Sequence, residues 1–128
     1  MTRFLLVAAG GAIGSIARYG VGIAAQRLAP APAWPWGTLT VNVVGGLLMG
    51  LLAGWLAHRA AANTADLRAL IGVGLLGGFT TFSAFSLETA LMIERREIGA
   101  AALYVGLSVL LAVAALFIGL IIARRVFA

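Results

Sequence analysis

The stretch that decides the fold lies in the middle of the third apolar run and reads Gly77-Gly78-Phe79-Thr80-Thr81-Phe82-Ser83-Ala84-Phe85-Ser86. Two adjacent glycines followed by two β-branched threonines disfavour an unbroken helix. At membrane depth, irregular backbone is tolerated only where it is buried in protein or lines water. We therefore predict that this helix is broken near its middle, between Gly77 and Thr80.

Two phenylalanines follow the predicted break. If the helix resumes there, Phe82 and Phe85 lie at positions i and i+3 and project from the same face. The edge of an aromatic ring carries positive potential, so edge-on rings could hold an anion that has lost its water. Two phenylalanines on one helix face are more often simply packing, and the residues alone leave both interpretations open.

Apolar runs long enough to cross a bilayer surround this segment. The chain has 128 residues, of which 62% are hydrophobic and 10% charged, whereas soluble domains carry about 25% charged residues. A membrane-spanning helix needs about 20 apolar residues. Four runs satisfy this length, at residues 4–25, 36–57, 69–93 and 99–123. The sequence therefore predicts an all-α, multi-pass integral membrane protein that forms a single transmembrane domain over residues 1–128.

Several classes of chemistry are excluded by composition. His58 is the single histidine and the chain has no cysteine, so a disulfide scaffold, a thiol nucleophile and a multi-histidine metal site are unavailable within one chain. The net charge of +5 comes from arginines scattered between apolar blocks, not clustered on one face as nucleic-acid binding requires. No nucleophile with a base and no phosphate-binding loop is recognisable. We expect neither an enzyme nor a nucleic-acid-binding protein.

The distribution of arginines bears on membrane orientation. With four spans, both termini and the second connection lie on one side of the membrane, with five arginines: Arg3, Arg59, Arg68, Arg124 and Arg125. The other side carries Arg27, Arg95 and Arg96, three, or four if Arg18 reaches it. Orientation follows this asymmetry, and here it is small. The chain could therefore insert both ways, and two copies could pair antiparallel as an inverted repeat.

Glycines recur at four-residue spacing in the first three spans. They are Gly10 and Gly14, then Gly46, Gly50 and Gly54, then Gly74 and Gly78. Small residues at this spacing let transmembrane helices approach closely. We interpret most of them as packing seams of a compact bundle.

Asn42 lies seven residues into the second span, in a run that is otherwise apolar beyond Thr40. Its amide could bond a neighbouring helix. Alternatively its NH2 group, which is neutral and carries two donors, could replace hydration water around a permeating anion.

Other polar residues within the spans also have two interpretations. Glu88 is the one carboxylate inside a span and is either functional or interfacial. Arg18 either extends to the lipid headgroups or gives a vestibule the positive potential that collects anions. Tyr104 and Ser108 lie at i and i+4 on one face of the fourth span, which fits a polar stripe or an interhelical hydrogen bond.

Three blocks of sequence resemble the Fluc (CrcB) family of small fluoride channels. They are Gly10-Gly11-Ala12-Ile13-Gly14-Ser15-Ile16-Ala17-Arg18-Tyr19, Gly37-Thr38-Leu39-Thr40-Val41-Asn42-Val43-Val44-Gly45 and Gly77-Gly78-Phe79-Thr80-Thr81-Phe82-Ser83-Ala84-Phe85. The resemblance covers nearly the whole chain. Its specific part is the asparagine block followed by the threonine-phenylalanine block on successive spans.

The resemblance implies a dual-topology, antiparallel homodimer in the lipid bilayer of a bacterial inner membrane. It implies two pores that export fluoride passively and a structural sodium ion at the dimer centre. The pores would be lined by Asn42, Phe82 and Phe85, and the sodium would be held by backbone carbonyls of Gly77 and Thr80. The pathway would be bordered by Thr81, Ser83, Glu88, Tyr104 and Ser108, with Arg18 at the vestibule.

Two positions depart from the pattern of the resemblance. Ala84 stands where many relatives have a hydroxyl residue, and Ala112 stands where some relatives continue the stripe of the fourth span with serine. We therefore do not expect an uninterrupted row of hydroxyl side chains along the pathway.

Other function classes remain alternatives at this stage. Small multidrug exporters share the size, the four spans and the dual topology, but their mechanism needs a carboxylate in the first span, and residues 4–25 contain none. A non-transporting membrane factor would leave Asn42, Thr80 and Phe82 unexplained. A flux assay separates these classes.

Overall fold

Helix is the only regular element in the part of the chain that the computed structural model describes, which is residues 1–29, 34–59 and 64–127. Helix α1 covers Thr2–Leu28 and α2 covers Trp36–Ala57, and the chain ends in α6, Ile98–Phe127. The third span, Thr64–Glu94, is composite. Within the described ranges, four helical stretches are long and apolar enough to cross a membrane, which confirms the predicted all-helical fold with four spans.

The third span changes its backbone geometry along its length. It begins with α3, Thr64–Leu67, widens into a π-helical segment, Arg68–Leu76, and tightens again in α4, Gly77–Phe79. Gly77 has helical angles (φ −63°, ψ −37°). Thr80 (φ −82°, ψ 160°) and Thr81 (φ −153°, ψ 117°) are extended. The span then continues as α5, Phe82–Glu94.

The end of α5 returns the chain toward the membrane. The amide of Arg96 donates to the carbonyl of Ile93 at 2.9 Å, and the amide of Glu97 donates to that of Met92 at 2.9 Å. This is the Schellman pattern that satisfies the last carbonyls of a helix. It places Arg96 in the left-handed region (φ 61°), a position that usually favours glycine. The tight reversal sets α6 antiparallel to α5.

One glycine seam joins α2 to α6. A Cβ built at Gly46 would lie 2.6 Å from the carbonyl oxygen of Ala112, and one at Gly54 would lie 2.5 Å from the Cβ of Ala123. Between them, a Cβ at Gly50 would collide with the carbonyl of Leu116. The two backbones are therefore in contact because these positions lack side chains.

A second glycine seam joins α1 to the first half of the third span. A Cβ built at Gly78 would lie 2.6 Å from the carbonyl oxygen of Gly11, and one at Gly74 would lie 2.9 Å from that of Val7. Cβ atoms at Gly10 and Gly14 would collide with the carbonyls of Leu70 and Leu75. The two seams confirm that the glycine repeats are packing surfaces. They also fix the positions of α1 and α2 along the bundle relative to the extended threonines.

The seams predict unequal costs for the same substitution at two glycines. Gly50→Ala forces α2 away from the Leu116 carbonyl, and overpacking of this kind typically costs about 1–3 kcal/mol. Gly106→Ala in α6 meets nothing within 4 Å, so the gain in helix propensity, about 0.5–1 kcal/mol, should leave stability unchanged or raised. Thermal unfolding of both variants in detergent checks this. Equal melting temperatures for the two variants would contradict the seam.

Candidate functional site

Asn42 holds one of the two extended threonines through both polar atoms of its side chain. Its Nδ2 donates to the carbonyl of Thr81 at 3.0 Å, and its Oδ1 accepts from the amide of Thr81 at 2.8 Å. Asn42 therefore pairs with this residue as a neighbouring β-strand would. The bond to a neighbouring span that the sequence suggested is present, and one hydrogen of Nδ2 remains for a further acceptor because the NH2 group carries two.

The other groups around the extended residues also have partners. The Thr81 hydroxyl caps α5 by accepting from the amide of Ala84 at 3.1 Å, and it lies 3.3 Å from the hydroxyl of Ser83. The Thr80 hydroxyl donates back to the carbonyl of Leu76 at 2.9 Å. Unsatisfied backbone groups are costly in an apolar interior, and these bonds stabilise the extended conformation.

The carbonyls of Gly77 and Thr80 are among those that lose their regular helical donors in this arrangement. In an unbroken α-helix the amides of Thr81 and Ala84 would donate to the carbonyls of Gly77 and Thr80. Here those amides donate to Asn42 Oδ1 and to the Thr81 hydroxyl instead. Gly77 is exposed on the surface of the single chain. The two carbonyls that the resemblance assigns to sodium are thus among those that lose their helical donors at the extended residues.

Arg18 reaches the same place from α1. Its Nη1 donates to the carbonyl oxygen of Thr80 at 3.1 Å, so the guanidinium is directed toward the extended residues and not toward a lipid headgroup. The Thr80 carbonyl keeps a second lone pair, since each carbonyl oxygen has two.

A groove of about 410 Å³ opens beside the extended residues. Its wall includes five of the predicted pathway residues together with Ala112: Asn42, Thr81, Phe82, Phe85 and Ser108. Phe82 is 77% exposed whereas Phe85 is 8% exposed, and their ring centroids are 5.5 Å apart with planes tilted by 43°. The Ser108 hydroxyl is buried and has no hydrogen-bond partner within the described ranges. The groove therefore combines an apolar wall with a few polar donors.

Glu88 lies in a hydrogen-bonded cluster one helical turn farther along α5. Its two carboxyl oxygens accept from the hydroxyls of Thr38 and Tyr104, each at 2.7 Å. Glu88 and Thr38 line a cavity of about 550 Å³ at this end of the bundle. Glu88 is therefore partly buried and hydrogen-bonded to side chains of α2 and α6.

Tyr104 connects this cluster to the groove. It is fully buried, and its ring lies 5.3 Å from that of Phe85 and 5.7 Å, edge to face, from that of Trp34. The sequence did not indicate Thr38 or Trp34 as site residues. Thr38 lies four residues before Asn42 on the same helix face, which is a signal that could have identified it. Trp34 has no such signal, because its contact is tertiary.

Not every predicted site residue lies in the groove. Ser83 is exposed on α5 and contacts the Thr81 hydroxyl. Arg18 approaches Thr80 from α1. The groove reaches the extended threonines, whereas the cavity shares none of its lining residues with the groove and lies farther along α5. The contacts of Tyr104 with Phe85 and Glu88 join the two.

Comparison with known proteins identifies the family of the chain. Residues 5–120 match the family described as CrcB-like protein, Camphor Resistance (CrcB). The chain belongs to this family. A protein of Caulobacter vibrioides strain NA1000 / CB15N, named Fluoride-specific ion channel FluC, is 63% identical over 128 residues, which is 100% of both chains.

Other members of the CrcB family match over a similar extent. A protein of Phenylobacterium zucineum is 62% identical over 128 residues, again 100% of both chains. One of Agrobacterium fabrum is 47% identical over 127 residues, which is 99% of this chain and 100% of that protein. Both are also named Fluoride-specific ion channel FluC. The similarity thus covers the groove, the cavity and both glycine seams.

The Glu88 cluster predicts a measurable loss when one donor is removed. Tyr104→Phe deletes the hydroxyl that donates to Glu88 and leaves that oxygen without this partner, which costs about 1–3 kcal/mol. Tyr19→Phe is the matched control, because Tyr19 is 72% exposed on α1. Thermal unfolding in detergent should show a lower melting temperature for Tyr104→Phe alone. If both variants melt like the unmodified protein, the hydroxyl does not stabilise the cluster.

Proposed function

We propose that this chain is the subunit of a fluoride-specific ion channel. The observation that carries the proposal is the groove in which Asn42, Phe82, Phe85 and Ser108 meet. The relatives named as fluoride channels support the choice of ion, since they match the chain from end to end. Such a channel conducts passively and is not an enzyme.

The groove offers what a small, strongly hydrated anion needs when it loses water. A dehydrating pore must replace the lost hydration with protein donors and dipoles. The second hydrogen of Asn42 Nδ2, the Ser108 hydroxyl and the positive edges of Phe82 and Phe85 are such groups. All of them are neutral. A lysine at the position of Asn42 would hold an anion more tightly and slow its exit.

The Glu88 cluster continues the proposed pathway beyond Phe85. A bare carboxylate would repel a passing anion, but both oxygens of Glu88 accept a hydroxyl hydrogen, from Thr38 and Tyr104. These bonds disperse charge on the carboxyl group. The cavity that Glu88 lines would then act as a vestibule at this end, and Arg18 would contribute positive potential near the extended residues.

A second copy in the opposite orientation would complete the site. Phe82 is largely exposed in the single chain and Gly77 is exposed, so the groove and the diverted carbonyl both lie on an open surface. The near balance of arginines permits insertion both ways. The proposal is an antiparallel homodimer with two pores, in the inner membrane of a bacterium, in which the third helix is broken at the extended threonines.

A structural sodium ion at the centre of this dimer fits the residues. The carbonyls of Gly77 and Thr80 have lost their helical donors, and backbone carbonyls are the groups that replace the hydration shell of a monovalent cation. Two copies related by a two-fold axis would together offer the Gly77 and Thr80 carbonyls of each chain. A bound sodium would give the Gly77 carbonyl a partner and would use the second lone pair of the Thr80 carbonyl, whose other lone pair accepts from Arg18.

A coupled exporter of the small multidrug type is the alternative. It would need a membrane-embedded carboxylate in the first span, and Thr2–Leu28 contains no acidic residue. Glu88 lies in the third span with both oxygens hydrogen-bonded. The arrangement therefore favours a passive channel.

Apolar substitutions of the groove should sharply reduce fluoride conduction, and Phe82→Ile and Phe85→Ile should do so without changing the oligomeric state. Phe82→Ile and Phe85→Ile remove the ring edges, and Asn42→Leu removes the amide donor. Each replacement side chain is apolar and similar in bulk to the one it replaces. We expect each to reduce fluoride efflux from liposomes that contain only the purified protein. In Asn42→Leu the reduction should be tenfold or more, as loss of one well-placed donor to a charged group implies (about 1.5–3 kcal/mol).

Chloride efflux and oligomeric state are the controls for this experiment. The unmodified protein should pass fluoride and not chloride, with or without an imposed proton gradient. Normal fluoride flux in all three variants would refute the groove as the pathway. Flux that requires a proton gradient would favour the exporter.

Dual topology has its own test. Two reporters fused to the carboxy terminus, one active only in the cytoplasm and one active only outside, should both give signal, because the arginine asymmetry is small. Adding a few arginines to one side should silence one reporter. Signal from a single reporter in the unmodified protein would exclude the antiparallel homodimer.

A further inference from the structure

The side chain of Asn42 acts on the backbone of the third span as well as on the groove. Its Oδ1 accepts the amide hydrogen of Thr81 at 2.8 Å, and its Nδ2 donates to the carbonyl of the same residue at 3.0 Å. Asn42 lies on α2, 39 residues away in sequence. Both bonds are available only when Thr81 is extended, as its angles show (φ −153°, ψ 117°).

The amide that Asn42 holds has a competing acceptor. In a continuous helix the Thr81 amide would donate to the Gly77 carbonyl four residues earlier. Gly77 has helical angles, so its carbonyl points along the axis toward that missing donor. As long as Asn42 holds Thr81, the Gly77 carbonyl is kept without its helical partner.

We propose that Asn42 is a positioning residue for the cation site, acting by withdrawing the Thr81 amide from the Gly77 carbonyl. This inference rests on the proposed function, because it takes the Gly77 and Thr80 carbonyls as the sodium ligands. One side chain then serves two ions. Its remaining Nδ2 hydrogen is available to the groove that Asn42 lines, and its Oδ1 keeps the Gly77 carbonyl without its helical donor.

A consequence follows for the interpretation of Asn42 variants. Loss of fluoride flux in Asn42→Leu has two sources, the missing anion donor and the closed cation site. Phe82 lines the same groove, but the hydrogen bonds that place the Gly77 carbonyl do not include it. Fluoride flux therefore does not distinguish the roles of Asn42 and Phe82. The sodium concentration that the dimer requires does distinguish them.

The experiment uses the purified full chain with sodium replaced by a bulky organic cation and with depletion verified by elemental analysis. Dimer fraction in detergent and fluoride efflux from liposomes are measured while sodium chloride is added back at constant ionic strength. Four proteins are compared: the unmodified chain, Asn42→Leu, Asn42→Asp and Phe82→Ile. Aspartate keeps an oxygen that accepts the Thr81 amide but has no NH2 donor.

The inference predicts a distinct pattern for each protein. In Asn42→Leu, the sodium concentration for half-maximal dimer should rise by about tenfold or more, or the dependence should vanish, since a net hydrogen bond changes an equilibrium by about that factor. Asn42→Asp should keep a half-maximal concentration close to that of the unmodified chain although its flux falls. Phe82→Ile should lose flux with its sodium dependence unchanged.

Several results would overturn the inference. Parent-like sodium dependence in Asn42→Leu, an equal shift in Phe82→Ile, or loss of sodium dependence in Asn42→Asp would each show that the Asn42 oxygen does not control the cation site. If the unmodified dimer is indifferent to verified depletion, the cation site itself is absent and the inference fails with it. Fluoride-selective flux in that case leaves the channel proposal intact.

A measurement on the unmodified protein covers the case in which Asn42→Leu does not fold. Hydrogen exchange at the Thr81 amide should be slow, because the amide is bonded to Asn42 although its residue lies outside a helix. Exchange as fast as that of an amide without a hydrogen-bond acceptor would overturn the inference.

Discussion

The pairing of Asn42 with Thr81 is the interaction on which the site depends. A chain that leaves helical geometry inside a membrane exposes amides and carbonyls that water cannot reach, and each costs several kcal/mol if unpaired. Side chains from other spans supply the partners here, with Asn42 from α2 bonding Thr81 and Arg18 from α1 bonding the Thr80 carbonyl. Without such partners the extended residues would revert to helix, and the Gly77 carbonyl would be closed again.

The glycine seams make this pairing possible because they set the distances between the helices that Asn42 and Arg18 must bridge. An amide group on a short side chain reaches a neighbouring backbone only if the helices are close. Gly45 of α2 packs directly on the side chain of Thr80, and Gly14 of α1 packs on Leu75 and on the amide of Phe79. Asn42 and Arg18 lie about one helical turn from these contacts. Backbone contact and side-chain reach are therefore consequences of the same small residues.

Sequence predicted the spans well because each is a long apolar run, and it predicted the seams because glycine spacing is local. It could not assign partners across the bundle. The glycines suggested irregular backbone from Gly77 onward, yet Gly77 is helical and Gly78 packs on Gly11, while the extended angles fall on Thr80 and Thr81. The reason is tertiary, since the bonds from Asn42 and Arg18 decide where extended backbone is satisfied. The role of Thr38 toward Glu88 was hidden for the same reason.

The exposed groups of the single chain argue for a covering partner in the membrane. Large apolar side chains such as Leu110 and Phe117 are exposed, which is expected where a helix faces lipid. Exposed polar groups at mid-span are different, because lipid cannot hydrogen-bond a free carbonyl or hydroxyl. Gly77, whose carbonyl has lost its helical donor, is exposed beside the extended threonines. Lipid contact there would leave the diverted Gly77 carbonyl unsatisfied, whereas a second copy of the chain would bury it beside its own equivalent and make a shared cation favourable.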